Sequence, residues 1–157
     1  MRRHLGERTG RRIGLAWSGS IVSHPRAAIP AAALEPILRG SDAEFHCLQK
    51  EILPADRSWL EATGRIATHE AMLADFADTA ALVDAMDLVI SIDTAVPHLA
   101  GALAKPVWIM LAFNPDWRWL LGRDDSPWYP TARLFRQSAP RDWDSVALSV
   151  AEAFHAL

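Results

Sequence analysis

Three short apolar runs limit what this chain can fold into, because none shows the every-second-residue polar pattern of a half-wet strand. They are residues 13–17 (IGLAW), 88–92 (LVISI) and 107–113 (VWIMLAF). Near-continuous apolar strands belong to sheets covered on both faces, and such sheets are characteristically parallel. Weaker strand patterns fall at 44–49, 65–68 and 133–136. Helical patterns lie between them. Residues 30–38 open on a proline, which suits a first helical turn. Residues 79–86 have Asp78 or Thr79 as a cap, 94–103 are rich in alanine and leucine, and 143–156 follow Asp142 and include Asp144 near the start. Strands and helices in alternation predict an α/β fold: a single doubly wound Rossmann-like domain with a parallel sheet and right-handed crossovers. At 157 residues the chain is one domain long. The expected domain covers 13–157, with 1–12 as a flexible lead-in or linker.

Composition narrows the function classes. Half the residues are hydrophobic and 22% are charged, enough apolar side chains for a real core. A net charge of −3 gives no electrostatic reason to bind nucleic acid or an anionic membrane. The basic start (Arg2, Arg3, Arg8, Arg11, Arg12) is followed by no apolar stretch of signal-peptide type. No run approaches the ~20 apolar residues that cross a bilayer, so no membrane span is expected. Cys47 is the single cysteine. It cannot form an internal disulfide, which fits a reducing, cytoplasmic setting. Lying within an apolar strand pattern, it reads as a buried structural thiol rather than a nucleophile.

In an open α/β sheet the ligand sits beyond the carboxyl ends of the strands, where the strand order reverses. At that edge the sequence places Trp17, Ser18, Gly19 and Ser20 after the first strand, Gln49 and Lys50 after the second, and Asp93, Thr94 and Ala95 after the fourth. These types suit a diphosphate. Gly19 lets backbone come close to an anion, Ser18 and Ser20 carry hydroxyl donors, and Lys50 adds a point charge. Thr94 caps a helix whose free N–H groups and dipole favour negative charge. Asp93 repels phosphate, so its task there is to accept hydrogen bonds from sugar hydroxyls. His98 lies one turn deeper on the same helix face. Each has a plainer reading: Ser-Gly as a turn, Asp-Thr as a cap, His98 as a core histidine, Lys50 as a solvated charge. Convergence on one sheet edge favours the ligand reading. No His, Cys or Asp spacing points to a metal.

The segment 87–103, with Asp93-Thr94-Ala95-Val96-Pro97-His98-Leu99-Ala100 at its centre and Lys105-Pro106-Val107-Trp108 after it, resembles glycosyltransferase family 9, the heptosyltransferase-like enzymes. The stretches IGLAWSG (13–19), Leu48-Gln49-Lys50 and Asp78-Thr79-Ala80-Ala81-Leu82 are similar to that family too. The Trp-rich segment, Asp116-Trp117-Arg118-Trp119 and Asp125-Ser126-Pro127-Trp128-Tyr129-Pro130, resembles a subgroup fused to tetratricopeptide repeats. The resemblance runs from Arg12 to the C-terminus. It implies the C-terminal half of a GT-B enzyme, in which this domain binds a nucleotide-diphosphate sugar without a metal or other cofactor. The acceptor-binding half, which commonly supplies the base, would lie outside it. Carried over, Asp93, Thr94 and Ala95 hold sugar and diphosphate and His98 supports that loop. Ser18, Gly19 and Lys50 line the phosphate side beside Gln49, and no catalytic residue is assigned. Two departures stand out. Ala95 occupies a position where heptosyltransferases often have glycine, and Pro97 removes one N–H from the first helical turn.

On these terms the isolated chain is expected to bind a donor without transferring it. The alternative is a non-catalytic scaffold attached to tetratricopeptide repeats. An epimerase would need an acid/base pair that the sequence does not place. A response regulator would need paired aspartates after the first strand. Gly14 and Gly19 do not make the G-x-G-x-x-G fingerprint of a dinucleotide dehydrogenase. Trp117, Trp119 and Trp128 are open to two roles: stacking on a ring or on the absent half, or filling the core under a loop.

Overall fold

A computed structural model describes residues 5–19 and 28–157. Ser20, Arg2 and Arg3 lie outside the described residues. Six strands form one sheet: β1 (Arg12–Ala16), β2 (Glu44–Cys47), β3 (Ile66–Ala67), β4 (Leu88–Ile92), β5 (Val107–Leu111) and β6 (Ala132–Arg136). Their order is β3-β2-β1-β4-β5-β6, and every pairing is parallel. Ile13 stands opposite both Phe45 and Leu88, which fixes β1 at the centre. The chain builds outward from β1 in one direction and then, from β4, in the other. The reversal between β1 and β4 is the switch point.

Among the described residues five α-helices cover the two faces: α1 (Glu35–Leu38), α2 (Pro54–Thr63), α3 (Phe76–Asp84), α4 (Ala95–Ala102) and α5 (Trp143–His155). One core joins Ile13, Leu15, Ile90 and Met110 of the sheet to Leu34 and Ile37 near α1, Leu60 of α2, and Val146, Val150 and Phe154 of α5. The other face packs Val89, Val107, Ile109 and Leu111 against Leu82 and Val83 of α3, Ala100 of α4 and Trp119. Strands β1, β4 and β5 are buried at every residue, as the unalternating runs require. Burying each such Leu, Ile or Val contributes about 1.5–3 kcal/mol relative to leaving it in water. Cys47 lies in the first core, where burial pushes its thiol up to about 12. Among the described residues no helix is long and apolar enough to cross a membrane.

Several element bounds differ from the sequence pattern for local reasons. The stretch expected as one helix over 30–38 is a 3-10 turn, Ala31–Leu34, that relaxes into α1. Helix α3 begins earlier than expected, because Asp75 rather than Asp78 or Thr79 is its cap, accepting the N–H groups of Ala77 and Asp78. Helix α2 has no counterpart in the apolar pattern, since only Asp56 and Leu60 of its ten residues are buried. Its signals are terminal: a proline in the first turn and Gly64 in the left-handed conformation that closes it. Strand β1 starts at Arg12, whose guanidinium meets Glu44 at 2.7 Å. Residues 5–11 have no helix or strand and are tied to the sheet by Arg8 on Asp87 and by Thr9 on Glu44.

Candidate functional site

The crevice at the switch point is formed by the turn after β1 and the loop between β4 and α4. Strand β1 leads directly into Trp17, Ser18 and Gly19, and the side chain of Gln49 holds the start of that segment. Its Oε1 accepts the backbone N–H groups of Trp17 and Ser18 at 2.6 and 2.9 Å. Its Nε2 donates to Ser18 Oγ at 2.8 Å and to the Glu51 carbonyl at 3.2 Å. Trp17 is anchored a second time, its indole N–H donating to Asp56 of α2 at 2.9 Å. Asp56 also accepts the N–H of Ala31 at 3.0 Å, so one buried carboxylate joins β1, α2 and the approach to α1.

On the other wall, Thr94 caps α4 by accepting the Val96 N–H at 3.3 Å. Gly19 presses against it: a Cβ at Gly19 would stand 3.0 Å from Thr94 Cγ2, a distance at which the neighbour must give way. The two segments that the diphosphate reading requires to be neighbours are therefore in contact. Asp93 comes next, three-quarters buried, with its Oδ1 3.6 Å from His98 Nε2. Burial raises the Asp93 carboxyl, but His98 and the Trp119 indole N–H, with the charges of His98 and Arg118, outweigh burial and hold it below the usual carboxylate range. Asp93 is thus an ionised acceptor at neutral pH.

His98 is fixed on three sides. Its Nδ1 is 3.0 Å from Tyr129 Oη, its Nε2 faces Asp93, and its ring stacks on Trp119 with centroids 5.1 Å apart. Tyr129 lies flat on α4 because Gly101 leaves room. A Cβ there would come within 2.4 Å of the tyrosine ring. The long segment between β5 and β6 supplies these aromatic partners, and Arg136 of β6 holds that segment down. Its guanidinium donates to the carbonyls of Trp119 at 2.6 Å and Arg123 at 2.9 Å. Between the segment and α4 lies a cleft of about 230 Å³ lined by His98, Trp117, Arg118, Trp119, Trp128 and Tyr129.

A scan of protein-family models matches nothing in this chain, and no solved structure matches it. Protein FlbA of Caulobacter vibrioides is similar: 30% identical over 150 residues, covering 92% of this chain and 25% of that protein. The chain therefore spans about a quarter of the length of the curated relative it matches.

Of the eight residues singled out in the sequence, the structure joins six in pairs: Ser18 with Gln49, Gly19 with Thr94, and Asp93 with His98. Ala95 opens α4 and is exposed. Lys50 is exposed and donates to the Ala74 carbonyl at 2.7 Å, which places it beside the approach to α3. The tryptophans differ in burial. Trp119 is fully buried, while Trp117 and Trp128 are 73% and 57% exposed. Asp56, Tyr129 and Arg136 escape a reading from sequence, because their partners lie 25, 31 and 17 positions away along the chain.

Proposed function

We propose that this chain is the donor-binding, C-terminal domain of a metal-independent GT-B glycosyltransferase resembling family 9. The observation that carries this reading is the contact of Gly19 with Thr94 at the β1–β4 switch point. It sets a turn with little side-chain bulk against the first turn of α4, where helix N–H groups and the helix dipole favour a diphosphate. Pro97, in that first turn, offers no N–H of its own. In this reading Asp93, kept ionised, accepts hydroxyls of the donor sugar, with His98 Nε2 beside its carboxylate at 3.6 Å. Ser18 Oγ and Lys50 lie on the diphosphate side. Gln49 acts behind them by setting the backbone of Trp17 and Ser18.

Transfer forms a bond from an acceptor oxygen to the anomeric carbon and breaks that carbon's bond to the diphosphate. The negative charge that develops on the leaving group is stabilised by the α4 terminus. The acceptor site and the base belong, in this proposal, to another part of a longer cytoplasmic protein that also carries tetratricopeptide repeats. Thermal unfolding of the chain with ADP-, UDP-, GDP- and dTDP-sugars tests the donor assignment. One of them, at about 100 times its dissociation constant, is expected to add roughly 2.7 kcal/mol of stability. If none of the four shifts the transition, the scaffold reading replaces this one.

A further inference from the structure

The cleft beside α4 sits next to the proposed diphosphate site without being part of it. Its floor is the stacked pair His98 and Trp119 with Tyr129, and its rim is Trp117, Arg118 and Trp128. Trp117 and Trp128, each more than half exposed, stand together at the mouth of one cleft. The loop does not hold them there by chance. Asp116 caps the 3-10 turn Trp117–Trp119, accepting the Arg118 N–H at 3.0 Å, and Trp128 Nε1 donates to the Arg118 carbonyl at 3.0 Å. Arg136 and Tyr129 clamp the same segment to the sheet and to α4. The result is a set of indole faces held in position, with the Trp128 edge already hydrogen-bonded.

A volume of about 230 Å³ is less than the ~300 Å³ at the small end of drug-sized ligand pockets. It suits one ring, not a whole nucleotide sugar. We propose that this cleft is a stacking subsite for the pyranose ring of the donor; the proposal rests on the donor-binding reading above. A pyranose has an apolar C–H face for an indole and hydroxyls around its rim. The groups at hand match both halves: Trp117 and Trp128 offer faces, and the Arg118 guanidinium, whose Nε is paired with Asp116 at 2.9 Å, keeps its remaining N–H groups for ring hydroxyls. A nucleobase would use the same ring faces, but its flat amide-like edge needs paired donors and acceptors. The His98, Tyr129 and Trp128 polar atoms are already engaged with one another or with backbone.

The test is calorimetric titration of the chain with ADP, UDP and GDP and, separately, with ADP-glucose, UDP-glucose, UDP-N-acetylglucosamine and GDP-mannose, for the wild type and the variants Trp117→Ala, Trp128→Ala and Trp117→Phe. The expected result is that at least one nucleotide sugar binds more tightly than its own diphosphate. The two alanine variants then each weaken that sugar about two- to tenfold, the scale of a single aromatic contact. The free diphosphate is unchanged, and Trp117→Phe restores most of the loss. If the alanine variants weaken diphosphate and sugar conjugate equally, the base occupies the cleft and the subsite proposal fails while donor binding stands. If sugar conjugates bind no better than diphosphates and the variants change nothing, the subsite proposal fails alone. If no ligand binds the wild type, both it and the donor reading fall.

Discussion

Asp93 is where two opposite demands meet. A carboxylate beside the proposed diphosphate site would repel that ligand, and one three-quarters buried is costly to keep charged. It stays ionised because His98, Trp119 and Arg118 surround it, and Tyr129 in turn holds His98. So much support for one charge at a sheet edge suits a group that takes hydroxyls from a ligand. Asp93→Ala is expected to weaken binding of the donor found by thermal screening at least about tenfold, the scale of one lost charged hydrogen bond. His98 and buried Trp119 lose a neighbour but keep their stacking on each other, so stability should fall by no more than about 1–2 kcal/mol. Urea unfolding beside calorimetry checks both halves, and a variant that unfolds outright makes Asp93 a structural residue. Gln49 shows the opposite case. Its residue type and position mark it as a ligand-binding amide, yet both ends of that amide are satisfied within the protein. Sequence gives the neighbourhood of such a residue, and only the fold decides whether the neighbour is a ligand or the chain itself.

Among elements, the meeting of the β1 turn with α4 matters most. Gly19 has no unusual φ to explain it; the constraint is the 3.0 Å approach to the Thr94 methyl. Gly19→Ala is therefore expected to push the two walls of the crevice apart by a few tenths of an ångström. Donor affinity should drop, with less than about 1 kcal/mol lost in stability, because the turn lies outside the core. Unchanged affinity in Gly19→Ala would mean that the contact does not shape the site. The elements that position this crevice were the legible ones. β1, β4 and β5 are buried on both faces, so their apolar runs show plainly, and Thr94 sits where the fourth run stops. Helix α2 was not legible, because it leaves most of its surface wet and presents no apolar stripe. The aromatic cleft was half legible. Trp117, Trp119 and Trp128 stand out in the sequence, but the division into one buried and two exposed rings depends on Arg136 and Tyr129 pinning the loop from a distance.

For the whole molecule, an acid-sensitive pair and the proposed donor crevice lie on different parts of the sheet, which gives acid a way to separate stability from the proposed binding. On the β2–β3 flank, His46 Nδ1 is 3.0 Å from His69 Nε2 with the rings stacked, and Glu44 and Arg12 adjoin His46. Burial lowers both histidines. The His69 and Arg12 charges push His46 down further, and Glu44 offsets only part of this. A histidine held below its ordinary value of 6.5 is neutral in the folded chain and takes up protons more readily when unfolded. Its stabilising effect is complete above 6.5 and is lost as pH falls toward the depressed folded values. Glu44 acts in a second, lower window. Hydrogen bonds from Thr9, Arg12 and Gly10 bring its carboxyl to about 2, so its contribution holds above the ordinary 4.5 and disappears as pH falls through 2. Urea midpoints are therefore expected to stay level from pH 8 to about 6.5 and to decline from there to pH 5, ahead of any loss from Glu44. The double variant His46→Gln, His69→Gln should flatten that first decline and leave the acid limb below pH 4.5 in place. An equally steep fall between pH 6.5 and 5 in the double variant would move the acid sensitivity elsewhere. Calorimetry at pH 7.5 and 6 should find donor binding less affected than stability, because β1 separates this flank from the Asp93–Thr94 wall of the crevice.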